Sequence, residues 1–331
     1  MADFAPGLVT LFGGSGFIGS QAVRALAKRG WRIRVAVRKP TVANELQPLG
    51  DVGQIQLMRC DVTNPADVAA ALRGADAVVN LVGVLHEAPG RSFARMHAEA
   101  ARTIAEQARA AGVTRLVQMS AIGADADGAS TYARTKGEAE AAVRAIYPDA
   151  VILRPSIVFG AGDSFLNRFA SMATLAPALP LVGGGHTKFQ PVYVGDVAEA
   201  IARAVVRPDA AGKTYELAGP ATYSFEDILK YVLRETGRKR GLLPLPFFAA
   251  ETLGGLMQPL AVLGLNPPLT TDQVKLLKTD NVAAPGSAGL ADLGIEPTGL
   301  EAIAPSYLWR YRKGGQFAEN PSRASEIALP A

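Results

Sequence analysis

The stretch "LVTLFGGSGFIGSQAVRALAKRG", residues 8–30, decides how the chain is read. A short apolar run (8–12) enters a glycine loop, and an amphipathic helical pattern leaves it. Gly13, Gly16 and Gly19 are spaced three apart across the junction. One glycine permits the tight turn, one lets a pyrophosphate approach the backbone, and one lets helix and strand pack closely. Ser15, Phe17 and Ile18 complete the loop, and the helix N-terminus offers free N–H groups and a partial positive charge to phosphates. With a strand before and a helix and second strand after, nucleotide binding is preferred to an ordinary tight turn.

Working outward, strands are predicted at "RIRVAV" (32–37), "IQLM" (55–58), "AVVNLV" (77–82), "RLVQMS" (115–120) and "VILR" (151–154). Helical patterns alternate with them, including "PADVAAALRG", "HAEAARTIAEQARAAG", "ARTKGEAEAAVRAIY" and, later, "VGDVAEAIARAVVR". Strand–helix alternation predicts an α/β fold: a Rossmann-type, doubly wound parallel sheet with right-handed crossovers. After Pro155 glycines and prolines cluster and the rhythm breaks, so a smaller, mostly helical C-terminal domain is expected. The predicted units are 1–220, with 156–190 contributing to the smaller domain, then 221–317, then a loosely held tail at 318–331.

Composition bounds the function. The 331 residues are 49% hydrophobic and 19% charged, as a folded globular chain requires. A net charge of +4 from 34 basic and 30 acidic residues is too small and too scattered for a nucleic-acid binder. Cys60 is the only cysteine, which fits a reducing compartment, and the start "MADFAPGLVTLF" has neither a signal nor a transit pattern, so a cytoplasmic location is expected. His86, His97 and His186 share no ligand spacing, so no metal site is predicted.

The second strand ends "VAVRKP", where a free ribose 2′-hydroxyl usually meets a carboxylate. Arg38 and Lys39 stand there instead and suit a 2′-phosphate, which favours NADP(H); the plainer reading is a solvated basic pair. Asp61 and Val62 follow the third strand, where an adenine edge could bind, and Leu81, Val82 and Gly83 end the fourth, beneath the cofactor's middle. "STYARTKGEAEAAV" (130–143) puts Tyr132 and Lys136 one helical turn apart on a shared face. A phenol beside an ammonium has its anion stabilised, which would make it a proton donor and acceptor near neutrality.

Together, Gly13-x-x-Gly16-x-x-Gly19, Asp61-Val62, Tyr132-x-x-x-Lys136, "RPSIVFGAGD" and "PVYVGDVAEAI" resemble the extended short-chain dehydrogenase/reductase family over about the first 220 residues. The resemblance implies that Tyr132 is a general acid/base, that Lys136 holds the nicotinamide ribose, and that Pro155 and Ser156 lie near the nicotinamide. A serine or threonine should bind the substrate oxygen, but "QMSAIGADADG" offers only Ser120, one or two places early, followed by Ala121 and Ile122. That departure, with "LTTDQVKLLKTDNV" and "SYLWRYR", is similar to an atypical branch: the NADPH-binding accessory subunits of respiratory complex I, of the alpha-subcomplex subunit 9 type. That likeness implies retained but idle Tyr/Lys chemistry, other complex I subunits as partners, and a peripheral place on the cytoplasmic side of the inner membrane near the quinone arm. The alternative is a free-standing NADP-dependent reductase or epimerase.

Two further segments have two readings each. Residues 242–269, rich in large apolar side chains but interrupted by prolines, are either a membrane- or partner-facing element or ordinary core. "WRYRKGGQF" is either an interface patch or a segment folded back on its own domain.

Overall fold

The computed structural model describes residues 6–85, 87, 90, 92–262 and 270–317, with backbone alone for 258–262. Seven strands form the main sheet: β1 (Leu8–Phe12), β2 (Arg32–Val37), β3 (Ile55–Arg59), β4 (Ala77–Asn80), β5 (Arg115–Met119), β6 (Val151–Pro155) and β7 (Thr214–Leu217). Their order is β3-β2-β1-β4-β5-β6-β7, and every neighbouring pair is parallel. The order reverses between β1 and β4, and it is outside the carboxyl ends of strands at such a point that this topology opens a crevice.

Helices cover both faces. On one, α1 (Phe17–Ala27) and α6 (Val194–Val206) bury Val23, Leu26, Val197 and Ile201 against β1, β2 and β4. On the other, α2 (Pro65–Leu72), α3 (Ala100–Ala110) and α4 (Thr131–Ile146) bury Val68, Ile104, Ala105 and Val143. This explains the continuous apolar runs: β4 is buried at all four positions, since each of its faces meets a helix layer. Edge strand β7, which the apolar-run reading missed, instead alternates as Thr-Tyr-Glu-Leu with a half-buried, buried pattern. On β6, Arg154 grips Glu140 of α4 through Nε (2.9 Å) and a terminal nitrogen (2.6 Å), tying helix to sheet.

The second lobe contains α5 (Leu166–Leu175), α7 (Phe225–Glu235), α8 (Phe247–Val262) and α9 (Thr271–Leu276), around Phe159, Leu166, Phe189, Phe225 and Ile228. Its terminal segment folds back on this lobe. The Tyr307 hydroxyl donates to Asp163 (2.7 Å), that of Tyr311 to Asn167 (3.0 Å), and Arg312 Nε donates to the Glu235 carbonyl (2.7 Å). Of the "WRYR" residues, Trp309 and Arg310 remain exposed. Residues 288–298 then return to the first lobe, where Leu290, Leu293 and Ile295 join the α1–α6 core.

Among the described residues no helix is long and apolar enough to cross a membrane. Leu243, Phe248 and Leu256 are nevertheless exposed on the second lobe. The remainder of the 242–269 segment, from 263, and the tail at 318–331 lie outside the described residues.

Candidate functional site

The glycine loop is built by contacts that leave no room for side chains. Gly13 has φ +79°, and a Cβ there would lie 2.9 Å from the carbonyl carbon and oxygen of Leu81. A Cβ on Gly19 would lie 2.4 Å from the Gly13 oxygen, so this glycine seats α1 directly on the loop. Gly16 caps α1 with no side-chain acceptor, and the first turn holds no acid. The leading N–H groups of α1 are therefore left for an anion. Ser15 and Gly16 are exposed beside them, while half-buried Ile18 packs on the core and Phe17 lies against Gly160 and Gly162 of the loop after β6.

At the end of β2, Arg38 and Lys39 are exposed, and their side chains make no hydrogen bond or ion pair among the described residues. Asp61 follows β3. Its Oδ1 accepts from the Thr63 backbone (3.0 Å) and hydroxyl (2.8 Å), which holds the carboxyl below its ordinary value. Val62 packs half-buried on the α2–α3 cluster. The Leu81–Gly83 turn is fixed from below: Asn80 Nδ2 donates to Gln118 Oε1 (2.8 Å) while Asn80 Oδ1 accepts the Val82 N–H (3.0 Å).

Tyr132 and Lys136 share a face of α4. Lys136 Nζ stands 5.9 Å from the centroid of the Tyr132 ring, over its face, and donates weakly to the Met119 carbonyl (3.4 Å). The Tyr132 hydroxyl has no hydrogen-bond partner among the described residues. Burial pushes this phenol up to about 12 and the Lys136 ammonium down to about 8. In this arrangement burial moves both groups toward their neutral forms, the phenol upward and the ammonium downward.

Ser120 follows β5, 4% exposed, and its Oγ has no hydrogen-bond partner among the described residues. Pro155 and Ser156, both buried, end the adjacent strand β6, and the Ser156 hydroxyl donates to Asn281 Oδ1 (2.7 Å). Loop, free helix terminus, Ser120 and Lys136 thus all stand at the carboxyl ends of the strands, and their N–H groups, hydroxyl and ammonium fit a dinucleotide.

The comparison with known proteins agrees with that geometry. The family model described as the NAD dependent epimerase/dehydratase family matches residues 9–218. This chain belongs to that family. Among relatives, it is 35% identical over 310 residues to the mitochondrial NADH dehydrogenase [ubiquinone] 1 alpha subcomplex subunit 9 of Rattus norvegicus, covering 92% of this chain and 80% of that one. It is 30% identical over 325 residues to a ceramide reductase of Caulobacter vibrioides, covering 97% and 99%. In fold it is similar to the NADPH-dependent quinone oxidoreductase of Escherichia coli, with a TM-score of 0.70, 20% identity, and 91% and 99% of the two chains covered.

This member of the epimerase/dehydratase family carries site residues that sequence reasoning missed. A π-helical turn, Ala94–Glu99, precedes α3 and buries His97 beside Tyr132. The Val84 N–H donates to its Nε2 (3.1 Å), so the proton sits on Nδ1 and points to Thr135 Oγ1 (3.0 Å). The Thr135 hydroxyl in turn donates to the Thr131 carbonyl (2.9 Å). His97 stacks on Phe93 and meets Tyr132 edge-on, each at 5.3 Å between centroids. Asp272 and Asn281 reach in from the second lobe, and no local pattern in the sequence could signal contacts spanning 125 to 142 residues.

Burial, aided by the Lys136 ammonium, pushes His97 down to about 3. The sign follows directly. An unfolded histidine takes up its proton near pH 6.5, whereas folded His97 resists until about pH 3, so between those values the unfolded state binds more protons and stability falls as pH falls. From pH 6 to pH 5 the unfolding free energy should drop by about 1 kcal/mol more in the native chain than in His97→Gln, as read by urea titrations. Equal slopes would show that His97 titrates normally.

Proposed function

We propose that this chain is an accessory subunit of a complex I-type NADH:ubiquinone oxidoreductase, holding NADPH without turning it over. It would sit peripherally on the cytoplasmic side of the membrane, near the quinone arm, with other subunits of that complex as partners. The carrying observation is the Tyr132–Lys136 geometry: the ammonium stands over the ring face at 5.9 Å and the phenol oxygen has no hydrogen-bond partner among the described residues, an arrangement that suits holding a ribose. The similarity to the alpha subcomplex subunit 9 protein supports the same reading.

In this reading the backbone of Gly13 to Gly19 holds the pyrophosphate, and Arg38 and Lys39 take the 2′-phosphate. Asp61 and Val62 border the adenine, and Leu81 to Gly83 border the centre of the cofactor. Tyr132 and Lys136 hold the nicotinamide ribose, with Ser120, Pro155 and Ser156 around the ring. Bound NADPH can supply a hydride; here its contribution is stability, about 2.7 kcal/mol at a hundredfold excess over Kd. Exposed Leu243, Phe248 and Leu256, close in sequence to Arg238, Lys239 and Arg240, would face a subunit or the lipid surface.

Sized, detergent-extracted native material tests this. Migration with a large membrane assembly, and stoichiometric release of unoxidised NADPH on denaturation, is the expected result. A small soluble species that consumes NADPH with a carbonyl compound would overturn it.

That second outcome is the free-standing reductase or epimerase reading, favoured by the unpartnered Ser120 Oγ and by the likeness to ceramide reductase along nearly both whole chains. Tyr132→Phe separates the two. A clamp keeps its ring, so NADPH affinity should stay within about tenfold and the assembly should remain active, since about one net hydrogen bond is at stake. If the same change instead removes an NADPH-consuming activity, Tyr132 is an acid after all.

A further inference from the structure

The carboxylate of Asp272 sits at the start of two helices at once. It lies in the first turn of α9, which belongs to the second lobe. It also accepts from the Ser130 hydroxyl (2.9 Å), the Thr131 N–H (2.7 Å) and the Tyr132 N–H (3.1 Å), and so closes the N-terminus of α4 in the first lobe. Leading N–H groups of a helix carry partial positive charge, and a carboxylate there is a strong acceptor.

Both ends of this segment are built in. Behind Asp272, α8 rests on the start of α9 through Gly254, where a Cβ would lie 2.7 Å from the Thr271 nitrogen and 2.9 Å from the Thr270 carbonyl carbon. Lys278 pairs with Glu251 of α8 at 2.7 Å. At the far end, Asn281 Oδ1 accepts from the Ser156 hydroxyl (2.7 Å) and the Ile157 N–H (3.0 Å), beside the end of β6. Residues 270–281 therefore tie α8, α4 and the end of β6 into one contact chain.

We propose that this segment couples nucleotide occupancy to α8, with Asp272 as the positioning residue that acts through the backbone of Tyr132. The inference rests on the NADPH reading above. A ligand gripped by Tyr132 and Lys136 fixes α4; α4 fixes Asp272; and α9 fixes α8, which presents exposed Phe248 and Leu256. Coupling of this kind is reciprocal, so whatever restrains α8 also tightens the nucleotide.

Hydrogen exchange of the full chain, with and without NADPH, tests it. In the native chain NADPH should slow exchange in residues 13–20 and also in 247–257 and 271–277. In Asp272→Ala, NADPH affinity should fall roughly tenfold, since α4 loses the charged acceptor of its Thr131 and Tyr132 N–H groups. At saturation the glycine loop should still be protected while protection of 247–257 disappears. Asp272→Asn, which keeps the shape and one acceptor oxygen, should give an intermediate result and serves if the alanine variant does not fold. Protection confined to residues 13–20 in the native chain, or α8 protection that survives in both variants, would overturn the coupling and leave the NADPH reading intact. No protection anywhere would overturn both.

Discussion

Gly13→Val should abolish NADPH binding and lower the unfolding free energy by roughly 3 kcal/mol or more. Two penalties add. A left-handed backbone at φ +79° costs a non-glycine residue about 1–2 kcal/mol, and more for a β-branched one. The new Cβ would also meet the carbonyl of Leu81 at 2.9 Å, which typically costs a further 1–3 kcal/mol as overpacking. Leu81 cannot yield easily, because its N–H is bonded to the Phe12 carbonyl (2.9 Å) and the next N–H to Asn80. Gly53→Ala is the matched control: its φ is also +79°, but a Cβ there meets nothing within 4 Å. It should cost about 1 kcal/mol and leave nucleotide binding unchanged. Thermal unfolding and NADPH titration of both variants decide the matter. Retention of affinity within tenfold in Gly13→Val would mean that the cradle is not where the pyrophosphate sits.

The second large effect is on cofactor choice. Reversing both charges at the end of β2, Arg38→Glu with Lys39→Glu, should weaken NADPH about a thousandfold while changing NADH affinity little. Each charge-assisted contact to a 2′-phosphate contributes about 1.5–3 kcal/mol, and a carboxylate in its place adds repulsion. Both side chains are exposed and unpaired within the described structure, so the change should not disturb the fold. Isothermal titration with the two nucleotides reads the ratio directly. Parallel losses for NADPH and NADH, or no loss at all, would assign these cations to the solvated surface.

What could be read in the sequence was whatever is written in local spacing. β1, the glycine loop, α1 and β2 lie within thirty consecutive residues, and each carries its own periodicity or turn chemistry, so this part of the first lobe was legible down to single glycines. β7 was not: an edge strand with one buried face shows four alternating residues and no apolar run. The Tyr132–Lys136 pair was legible as a pair but not in its electrostatics. Spacing gives the shared face, whereas the phenol's behaviour depends on burial by neighbours such as Phe93 and His97. Asp272 and Asn281 were quoted as part of a distinctive stretch, yet their roles depend on partners in the other lobe. For the same reason the "WRYR" segment could be read two ways until Tyr307 and Tyr311 were seen bonded to Asp163 and Asn167.

The return of residues 288–298 to the first lobe bears on how the protein is made. The Glu216 N–H of β7 bonds the Ala288 carbonyl, Arg203 of α6 holds the carbonyls of Leu293 and Gly294, and Asp196 accepts from the backbone and hydroxyl of Thr298. A nascent chain that has emerged from the ribosome only through β7 already contains every strand of the large sheet. Yet it still lacks Leu290, Leu293 and Ile295, and the apolar seam along α6 stays open until these residues have been made. Such a seam exposes apolar surface while the chain is being made. It also argues that any fragment expressed to study the nucleotide lobe alone must carry the 288–298 segment with it.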